Sequence, residues 1–448
     1  MDAKQPLRAK MLEWRKSQPI SMHVPGHKNG TIGNLSMTQV PYDMTEITGF
    51  DNLHHAEEVL YESMMQFNKY PGYRGYFLVN GTTSGILAVI HALASIPGDV
   101  AIARNVHKSI FHALELGQQS AQILATSVSE KTGQYCQPDV GRTDLERTKL
   151  GVVTYPNYYG ETFDVAHVVE QFHQFNIPVL VDEAHGAHFD LPGFPESSMR
   201  AGADYVVQSY HKTLPSLTMS SVLWIHQDAP YREWIEYGLQ VFQSSSPSYL
   251  LMESLEVAQA FYASYDSTLF FEKRKQLIAT LENKGLTVIT PQDPLKLLIR
   301  YKGMTGSSLQ AQMEAQAIDV ELSDENAVLW VLPLWHHQDR FPFEELLERI
   351  DRMTLRPEAQ SVHDKPPHLF TQPSTYRAIG MHPSRSIPYQ KAEGRILSRH
   401  LTPYPPGIPS LLKGEIVTTD MIKLIEYWQS RGFCVEGLMD DKITVKDE

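Results

Sequence analysis

The stretch Val207-Gln208-Ser209-Tyr210-His211-Lys212-Thr213-Leu214 presents one lysine among small hydroxyls and a histidine, at the end of an apolar run. Lysine becomes a nucleophile only when its amine is uncharged, which requires a desolvated and partly cationic setting. The neighbouring hydroxyls and the histidine suit a phosphate group. The stretch therefore predicts a Schiff-base lysine at Lys212, although one such stretch taken alone more often carries a solvated surface lysine.

A second stretch, Pro178-Val179-Leu180-Val181-Asp182-Glu183-Ala184-His185-Gly186, is an apolar, β-branched run that ends in two carboxylates and a histidine. This pattern predicts a buried parallel strand whose carboxyl end places Asp182 at a cleft. The ring of pyridoxal phosphate needs a carboxylate at its pyridine nitrogen, because a protonated ring is what accepts electrons. Asp182 is the candidate for that carboxylate, and an ordinary helix cap is the alternative.

The segment Gly81-Thr82-Thr83-Ser84-Gly85 follows a predicted strand, Tyr76 to Asn80, and begins an amphipathic helix. Unpartnered backbone amides and the positive end of the helix dipole bind phosphate at such a start, and hydroxyl groups add donors. Thr82, Thr83 and Ser84 are therefore candidates for phosphate binding. Because serine and threonine cap helices of every kind, a plain helix cap is again the alternative.

Two more predicted strands deliver polar residues to the same sheet edge. The strand Asp99 to Ala103 is followed by Arg104-Asn105-Val106-His107-Lys108-Ser109, in which His107 supplies a flat imidazole that could stack on a ring. The run Gly151 to Gly160 begins as a buried strand and is ended by a proline. A lone histidine is more often a satisfied polar residue, so the assignment of His107 depends on the other segments.

In their order along the chain, these segments resemble the Orn/Lys/Arg decarboxylase family of fold type I pyridoxal-phosphate enzymes, from about residue 20 to about residue 420. The matching motifs also include His23-x-Pro25-Gly26-His27-Lys28, Asp43-x-Thr45-Glu46, Gly49-Phe50-Asp51-Asn52-Leu53, Ser245-Ser246-Pro247-Ser248-Tyr249, Pro403-Tyr404-Pro405-Pro406-Gly407-Ile408-Pro409 and Gly414-Glu415. Asn157-Tyr158-Tyr159 departs from the commoner Pro-Thr-Tyr-Tyr pattern, and Gly394 to Leu401 matches loosely. The cofactor side is thus matched better than the substrate side.

The resemblance implies a bound pyridoxal 5'-phosphate. Lys212 would bond the cofactor, Asp182 would contact its pyridine nitrogen, and His107 would stack on its ring. The residues expected to hold its phosphate are Thr82, Thr83, Ser84, Ser209 and His211. Sites of this fold type form at a homodimer interface, so Ser246 would reach the phosphate of the neighbouring subunit.

The resemblance also implies the residues nearest the reaction. His185 would lie near the substrate carboxylate or the ring oxygen of the cofactor, and Lys212 or His211 would protonate Cα. The expected catalytic set is Lys212, His211, His107 and His185. Substrate contacts are expected from His27, Lys28 and Glu415, and the acidic group that receives the distal charge of the substrate would be Glu415, Asp43 or Glu46.

The implied reaction is decarboxylation of arginine, lysine or ornithine to agmatine, cadaverine or putrescine and carbon dioxide. One alternative is another fold type I activity, such as an aminotransferase or a carbon–sulfur lyase, which should hold the α-carboxylate on an in-plane arginine that the sequence does not identify. A second alternative is a protein that binds pyridoxal phosphate or polyamine without turnover.

Composition agrees with this interpretation. The chain has 448 residues, 42% of them hydrophobic, and a formal charge of -13, which argues against a nucleic-acid partner and mildly favours cationic substrates. Its two cysteines, Cys136 and Cys434, show neither a disulfide framework nor metal-ligand spacing and suit a reducing compartment. No run approaches the roughly 20 apolar residues that span a bilayer, so we expect a cytoplasmic protein without membrane or metal.

The predicted fold class is α/β, with a fold type I large domain built on a mainly parallel sheet, a small α/β domain and a C-terminal domain. The predicted order is an N-terminal arm (1–60) with a helix from Leu7 to Lys16, the cofactor domain (61–265), the small domain (266–355), a linker (356–373) and the C-terminal domain (374–448). The chain has no room for the N-terminal wing of the large inducible members, so we expect it to group with the short form.

Overall fold

Strands and helices alternate along most of the chain in the computed structural model, which describes residues 16–35, 42–47, 49–357, 371–380, 382–404 and 408–447. Three predictions fall largely outside these ranges: the helix from Leu7, residues 358–370 of the linker, and Pro405 to Gly407 of the proline-rich stretch.

The helices are α1 Val59–Met65, α2 Gly81–Ala92, α3 Lys108–Leu116, α4 Val165–His173, α5 Tyr210–Thr213, α6 Arg232–Phe242, α7 Tyr249–Ser264, α8 Thr268–Asn283, α9 Gly306–Glu314, α10 Phe343–Arg352 and α11 Thr419–Ser430. The strands are β1 Ile20–Met22, β2 Tyr73–Leu78, β3 Asp99–Ile102, β4 Ser120–Ile123, β5 Ala125–Val128, β6 Tyr135–Asp139, β7 Thr148–Thr154, β8 Val179–Asp182, β9 Tyr205–Gln208, β10 Ser221–His226, β11 Thr287–Ile289, β12 Lys296–Arg300, β13 Ile318–Val320, β14 Leu322–Ser323, β15 Val328–Val331, β16 Ser374–Arg377, β17 Ser384–Pro388, β18 Thr402–Tyr404, β19 Cys434–Glu436, β20 Leu438–Met439 and β21 Lys442–Lys446.

An eight-stranded sheet carries the predicted site, with the strand order β16-β4-β3-β7-β8-β9-β10-β2. The five strands from β4 to β9 in this order run parallel, whereas β10 and β16 are antiparallel to their neighbours. Every residue of β8 and β9 is buried, as expected for parallel strands covered on both faces. The predicted mainly parallel sheet is confirmed.

Register brings the two leading motifs to one edge of this sheet. Asp182, the last residue of β8, lies opposite Val207 of β9, and Ser209 and Lys212 follow β9 within one turn. The predicted strand from Tyr76 to Asn80 begins and ends earlier, as β2, because the chain turns at Asn80 to begin α2. Ligands of open α/β sheets bind at the carboxyl ends of the strands, and this edge is therefore the expected location of a site.

A smaller sheet, β11-β12-β15-β14, packs with α8 and α9, and α10 packs against α8. It corresponds to the strands predicted near residues 285–301 and 327–334. The N-terminal arm joins this part of the protein, since β1 pairs in parallel with β13 through Ile20 opposite Ile318. Lys296 is the first residue of β12, and its side chain is fully buried.

The C-terminal segment contributes one strand to the large sheet and otherwise forms a separate hydrophobic core. Its first strand, β16, pairs with β4 and completes the edge of the large sheet. The remainder forms its own core around α11 and the sheet β17-β21-β20, with Leu397, Ile425 and Ile443 fully buried. Glu115 of α3 ties the segment to the large sheet by accepting hydrogen bonds from His400 and Lys413. The predicted domain limits remain predictions.

Candidate active site

Lys212 lies in the short helical turn α5 directly after β9, and its Nζ is 3.2 Å from Nε2 of His185. Burial lowers the pKa of the Lys212 amine, and the carboxylates of Asp182 and Glu321 oppose this effect. A lowered pKa increases the fraction of uncharged amine at neutral pH. Lys212 therefore lies in a buried setting that favours an uncharged amine, and its role as the Schiff-base lysine stays a prediction.

Asp182 is buried at the end of β8, where its Oδ1 accepts a hydrogen bond from the backbone N–H of Ala184 at 3.2 Å. Burial raises the pKa of this carboxyl group, and nearby Lys212 opposes the shift. A buried carboxylate with one neutral hydrogen bond gains most from a second, cationic partner. A protonated pyridine nitrogen would supply that partner.

The start of α2 has the features of a phosphate cradle. Asn80 precedes the helix but makes no side-chain cap, because its Oδ1 accepts a hydrogen bond from the Ser244 backbone N–H at 3.1 Å instead. Thr82 Oγ1 lies 3.3 Å from Ser209 Oγ, so the hydroxyls of α2 and of the lysine turn meet. The hydroxyl of Ser84, by contrast, already donates to the carbonyl of Gly81 at 2.8 Å. Uncapped amides and two convergent hydroxyls fit a phosphate group.

Two neutral imidazoles lie beside this cradle. The Nδ1 of His107 accepts from the Ser109 backbone N–H, and burial together with nearby Lys212 lowers the pKa of His107 to about 4. His211 donates from Nδ1 to the Ser220 carbonyl at 2.9 Å, and burial lowers its pKa to about 4. An uncharged His107 ring suits stacking on an electron-poor ring.

His185 is buried and contacts two lysines. Its Nε2 contacts Lys212, its Nδ1 lies 3.0 Å from the Nζ of Lys296, and its ring meets that of Tyr158 edge-on at 4.5 Å. Burial, Lys212 and Lys296 hold the pKa of His185 well below its usual value. His185 is therefore a neutral imidazole between two amines.

Sequence reasoning missed Lys296 and Glu321. Lys296 begins an otherwise apolar strand, and a lone charged residue in such a strand was the available signal. Glu321 accepts hydrogen bonds from the Val24 backbone N–H and the Tyr158 hydroxyl, and its charge acts on both Lys212 and Lys296. No pattern in the sequence connects these residues to the lysine motif, because they belong to the small sheet.

The Pro-Gly-His-Lys motif of the arm packs against the lysine turn. The Gly26 backbone N–H donates to the His211 carbonyl at 2.7 Å, and His27 lies close enough to affect the pKa of His211. Lys28 is buried and donates to the carbonyls of His23 and Val331, and burial lowers its pKa to about 7. His27 therefore borders the site, whereas the ammonium of Lys28 joins the arm to the small sheet.

The other predicted residues are placed less directly. Ser246 is exposed, and its backbone N–H and carbonyl bond the Ser244 hydroxyl. Glu415 accepts from the Leu412 backbone N–H at 2.6 Å, and burial raises its pKa while Arg104 opposes the shift. No contact in the described part of the chain joins either residue to Lys212.

Asp43 and Glu46 are also not joined to the lysine motif in the described residues. Asp43 is exposed. Glu46 lies near Tyr249, and the pKa of Tyr249 is raised mainly by burial and further by the charge of Glu46. Within the described ranges, no helix is long and apolar enough to cross a membrane, and no group of three side chains could hold a metal ion.

Comparison with known proteins identifies relatives along the whole chain. The family model for the Orn/Lys/Arg decarboxylase major domain matches residues 5–283, and the model for the C-terminal domain matches residues 357–433. The chain is 35% identical to "Uncharacterized protein YaaO" of Bacillus subtilis (strain 168), over 98% of this chain and 97% of that protein. It is 29% identical to the arginine decarboxylase of the same organism, over 98% and 96% of the two chains.

Solved structures share the fold. Lysine decarboxylase A from Pseudomonas aeruginosa aligns with a TM-score of 0.70 at 16% identity, over 91% of this chain and 74% of that chain. The constitutive lysine decarboxylase of E. coli aligns with a TM-score of 0.66 at 17% identity, over 86% and 72% of the two chains. A match of the major-domain model to more than half of the chain shows that the protein belongs to the Orn/Lys/Arg decarboxylase family and is a pyridoxal-phosphate-dependent decarboxylase.

Proposed function

We propose that this protein decarboxylates a basic amino acid to the corresponding diamine or agmatine and carbon dioxide. The observation that carries the proposal is the convergence of Lys212, Asp182 and the hydroxyls of Thr82 and Ser209 at one edge of the large sheet. When bound there, pyridoxal phosphate supplies an electron sink that allows a bond at the substrate Cα to break.

Each group in the site has a distinct task. Thr82, Ser209 and the amides of α2 would bind the phosphate, and Asp182 would keep the ring nitrogen protonated. Lys212 would hold the cofactor, and its Nζ would be the group that moves a proton to the substrate Cα. His211 is a poor candidate for that proton transfer, because its only ring N–H is engaged by the Ser220 carbonyl and its pKa is about 4.

The charges around the site favour loss of the carboxylate over transamination. An aminotransferase would hold the α-carboxylate on an arginine, yet no arginine is among the charged groups that shift the pKa values of Lys212, Asp182 and His185 in the described residues. A carboxylate that is not paired with a guanidinium in a dry site is destabilised, which promotes its departure.

A basic substrate is supported by the acidic groups of the protein and by its relatives. Glu415 is a buried carboxylate whose pKa is raised by burial and lowered by Arg104, so a substrate cation would share it with that guanidinium. Glu321 presents a second carboxylate on the small sheet. Several relatives bear the name arginine decarboxylase, and arginine is accordingly the first substrate to test.

We also propose a cytoplasmic homodimer in which Ser246 contacts the partner's cofactor. The loop that contains Ser246 is exposed and held beside the start of α2 by the Asn80–Ser244 hydrogen bond. Large apolar side chains are exposed on nearby segments, at Phe50, Val59, Tyr61, Met65, Trp234, Tyr237 and Val241. An exposed apolar surface of this kind suits a subunit interface. Both cysteines are free thiols, which suits a reducing compartment.

The decisive experiment measures carbon dioxide release and identifies the amine formed, with purified protein, pyridoxal phosphate and, separately, arginine, lysine or ornithine. We expect one strongly preferred substrate and a matching amine. The Lys212→Ala variant should lose both turnover and the visible absorbance of a lysine-bound cofactor, while its circular dichroism stays unchanged. Turnover by Lys212→Ala, or formation of a keto acid in place of an amine, would contradict the proposal.

A further inference from the structure

The imidazole of His185 bridges two lysines. Lys212 Nζ lies 3.2 Å from Nε2, and Lys296 Nζ lies 3.0 Å from Nδ1. All three residues come from different elements: the turn after β9, the start of β12 and the loop after β8. The active-site lysine is thus connected through one ring to a second lysine on the small sheet.

Hydrogen-bond chemistry restricts the protonation of this triad. A neutral imidazole offers one N–H donor and one lone pair, whereas a lysine ammonium only donates. If His185 is neutral, a single ammonium can use its lone pair, and the other lysine must accept from the ring N–H as an uncharged amine. Burial and the two amines hold the pKa of His185 far below its usual value, so a charged ring is excluded near neutral pH.

The surroundings decide which lysine carries the charge. Lys296 is completely buried and its Nζ also donates to the Tyr158 carbonyl at 2.7 Å, a hydrogen bond that is stronger from a charged ammonium than from an uncharged amine. Among the described residues, Lys212 Nζ has His185 as its hydrogen-bond partner. The ammonium form is therefore better satisfied at Lys296, which directs the lone pair of His185 to Nδ1 and its proton to Nε2.

Other titratable groups also face the triad. His185 faces His211 and His188 besides the two lysines. Two carboxylates favour the charged form of each lysine. Glu321 acts on both lysines, Asp182 acts on Lys212, and Asp293 acts on Lys296. Each lysine thus has two such carboxylates, while Lys28 also faces Lys296 and His107 also faces Lys212. In hydrogen bonding, the two lysines differ by the carbonyl of Tyr158.

We propose that Lys296 is a positioning residue that fixes the Nε2–H tautomer of His185 and so keeps the Lys212 amine uncharged, ready to bond an aldehyde. The inference rests on the proposed role of Lys212 and is independent of which amino acid is decarboxylated. Lys296 acts only through the ring of His185 and through its own charge.

The test is the pH dependence of acylation of Lys212 by acetic anhydride, followed by mass spectrometry, in the full chain freed of cofactor. In Lys296→Met, loss of the nearby cation should raise the midpoint of Lys212 labelling by about one pH unit, from the Coulomb interaction across the ring. Labelling near neutral pH should fall by on the order of tenfold. An unchanged midpoint would overturn the proposal.

The matched control is Lys149→Met. Lys149 is also a buried lysine whose ammonium donates to two backbone carbonyls, those of Leu93 and Ile96, but it makes no contact with His185. The control should leave the midpoint of Lys212 in place, and an equal shift in Lys149→Met would overturn the proposal, because the effect would then be structural.

A measurement on the unmutated chain covers the case in which Lys296→Met fails to fold. Lys212 should be labelled with a midpoint well below that of the exposed lysines, and an ordinary lysine profile at Lys212 would overturn the proposal. Failure of the proposed function is distinguishable, since it would appear as absent carbon dioxide release while the labelling profile of Lys212 stays low.

Discussion

Replacing Gly26 by alanine should separate the N-terminal arm from the lysine turn. A Cβ at this position would lie 2.5 Å from the Leu214 carbonyl oxygen and 2.7 Å from the Thr213 carbonyl carbon, and real Cβ atoms essentially never come closer than 3.0 Å. Both contacts are backbone atoms, so no side-chain rotation relieves them. The arm or the turn must move, and the hydrogen bond from Gly26 N–H to the His211 carbonyl must lengthen.

The expected cost has two parts. Overpacking costs about 1–3 kcal/mol and the lost hydrogen bond about 1 kcal/mol, so the free energy of unfolding should fall by about 2–4 kcal/mol. Displacement of the turn by a fraction of an ångström also moves Lys212 relative to Asp182. Because misplacement of about 1 Å costs on the order of 100-fold in rate, we expect kcat/KM to fall by up to about 100-fold.

The assay combines steady-state decarboxylation at saturating pyridoxal phosphate with thermal unfolding. Gly380→Ala is the control, because Gly380 is exposed and a Cβ there meets nothing within 4 Å. Wild-type kcat/KM in Gly26→Ala, together with an unchanged unfolding midpoint, would refute the packing of the arm against the turn. A loss of stability alone would place the arm at the turn but deny it a role in catalysis.

Four further substitutions test the site and its support. Asp182→Asn should reduce turnover roughly 100-fold because an amide cannot hold the ring proton, and wild-type kinetics would place the cofactor ring elsewhere. Thr82→Val and Ser209→Ala should each raise the Kd for pyridoxal phosphate on the order of tenfold in equilibrium dialysis, whereas the exposed Ser264→Ala should not. His400 and Lys413 lower the pKa of Glu115 from 4.5 to about 2, so its contribution is present above about pH 4.5 and is lost toward pH 2. Glu115→Gln should remove that part of the stability profile in pH-dependent melts, and an unchanged profile would contradict the role of this carboxylate.

The sequence predicted the parts of the site that depend on one segment at a time. β8 and β9 are apolar runs that end in polar residues, and strand period together with sheet topology was enough to bring Asp182 and Lys212 to one edge. The hydroxyl-rich start of α2 was predicted for the same local reason. These inferences required only that the strands be parallel neighbours.

The parts that were not predicted depend on contacts between distant segments. Lys296 and Glu321 reach the site from the small sheet, and only tertiary packing places them against His185 and Tyr158. A local sequence pattern indicates which residues are buried and whether they lie in a strand or a helix. It does not indicate which distant residue a buried charge contacts. For Ser246 and Glu415 the predicted roles need a second subunit or a substrate, and they stay predictions.

The edge strand β16 has a consequence for the order of synthesis. β4 emerges from the ribosome early, but its outer neighbour is made only when residues 374–377 follow, after the whole small sheet. Until then the nascent chain presents an open strand edge, the kind of surface that invites pairing between chains. Protein truncated before residue 374 should therefore aggregate, even though it contains every residue of the lysine motif.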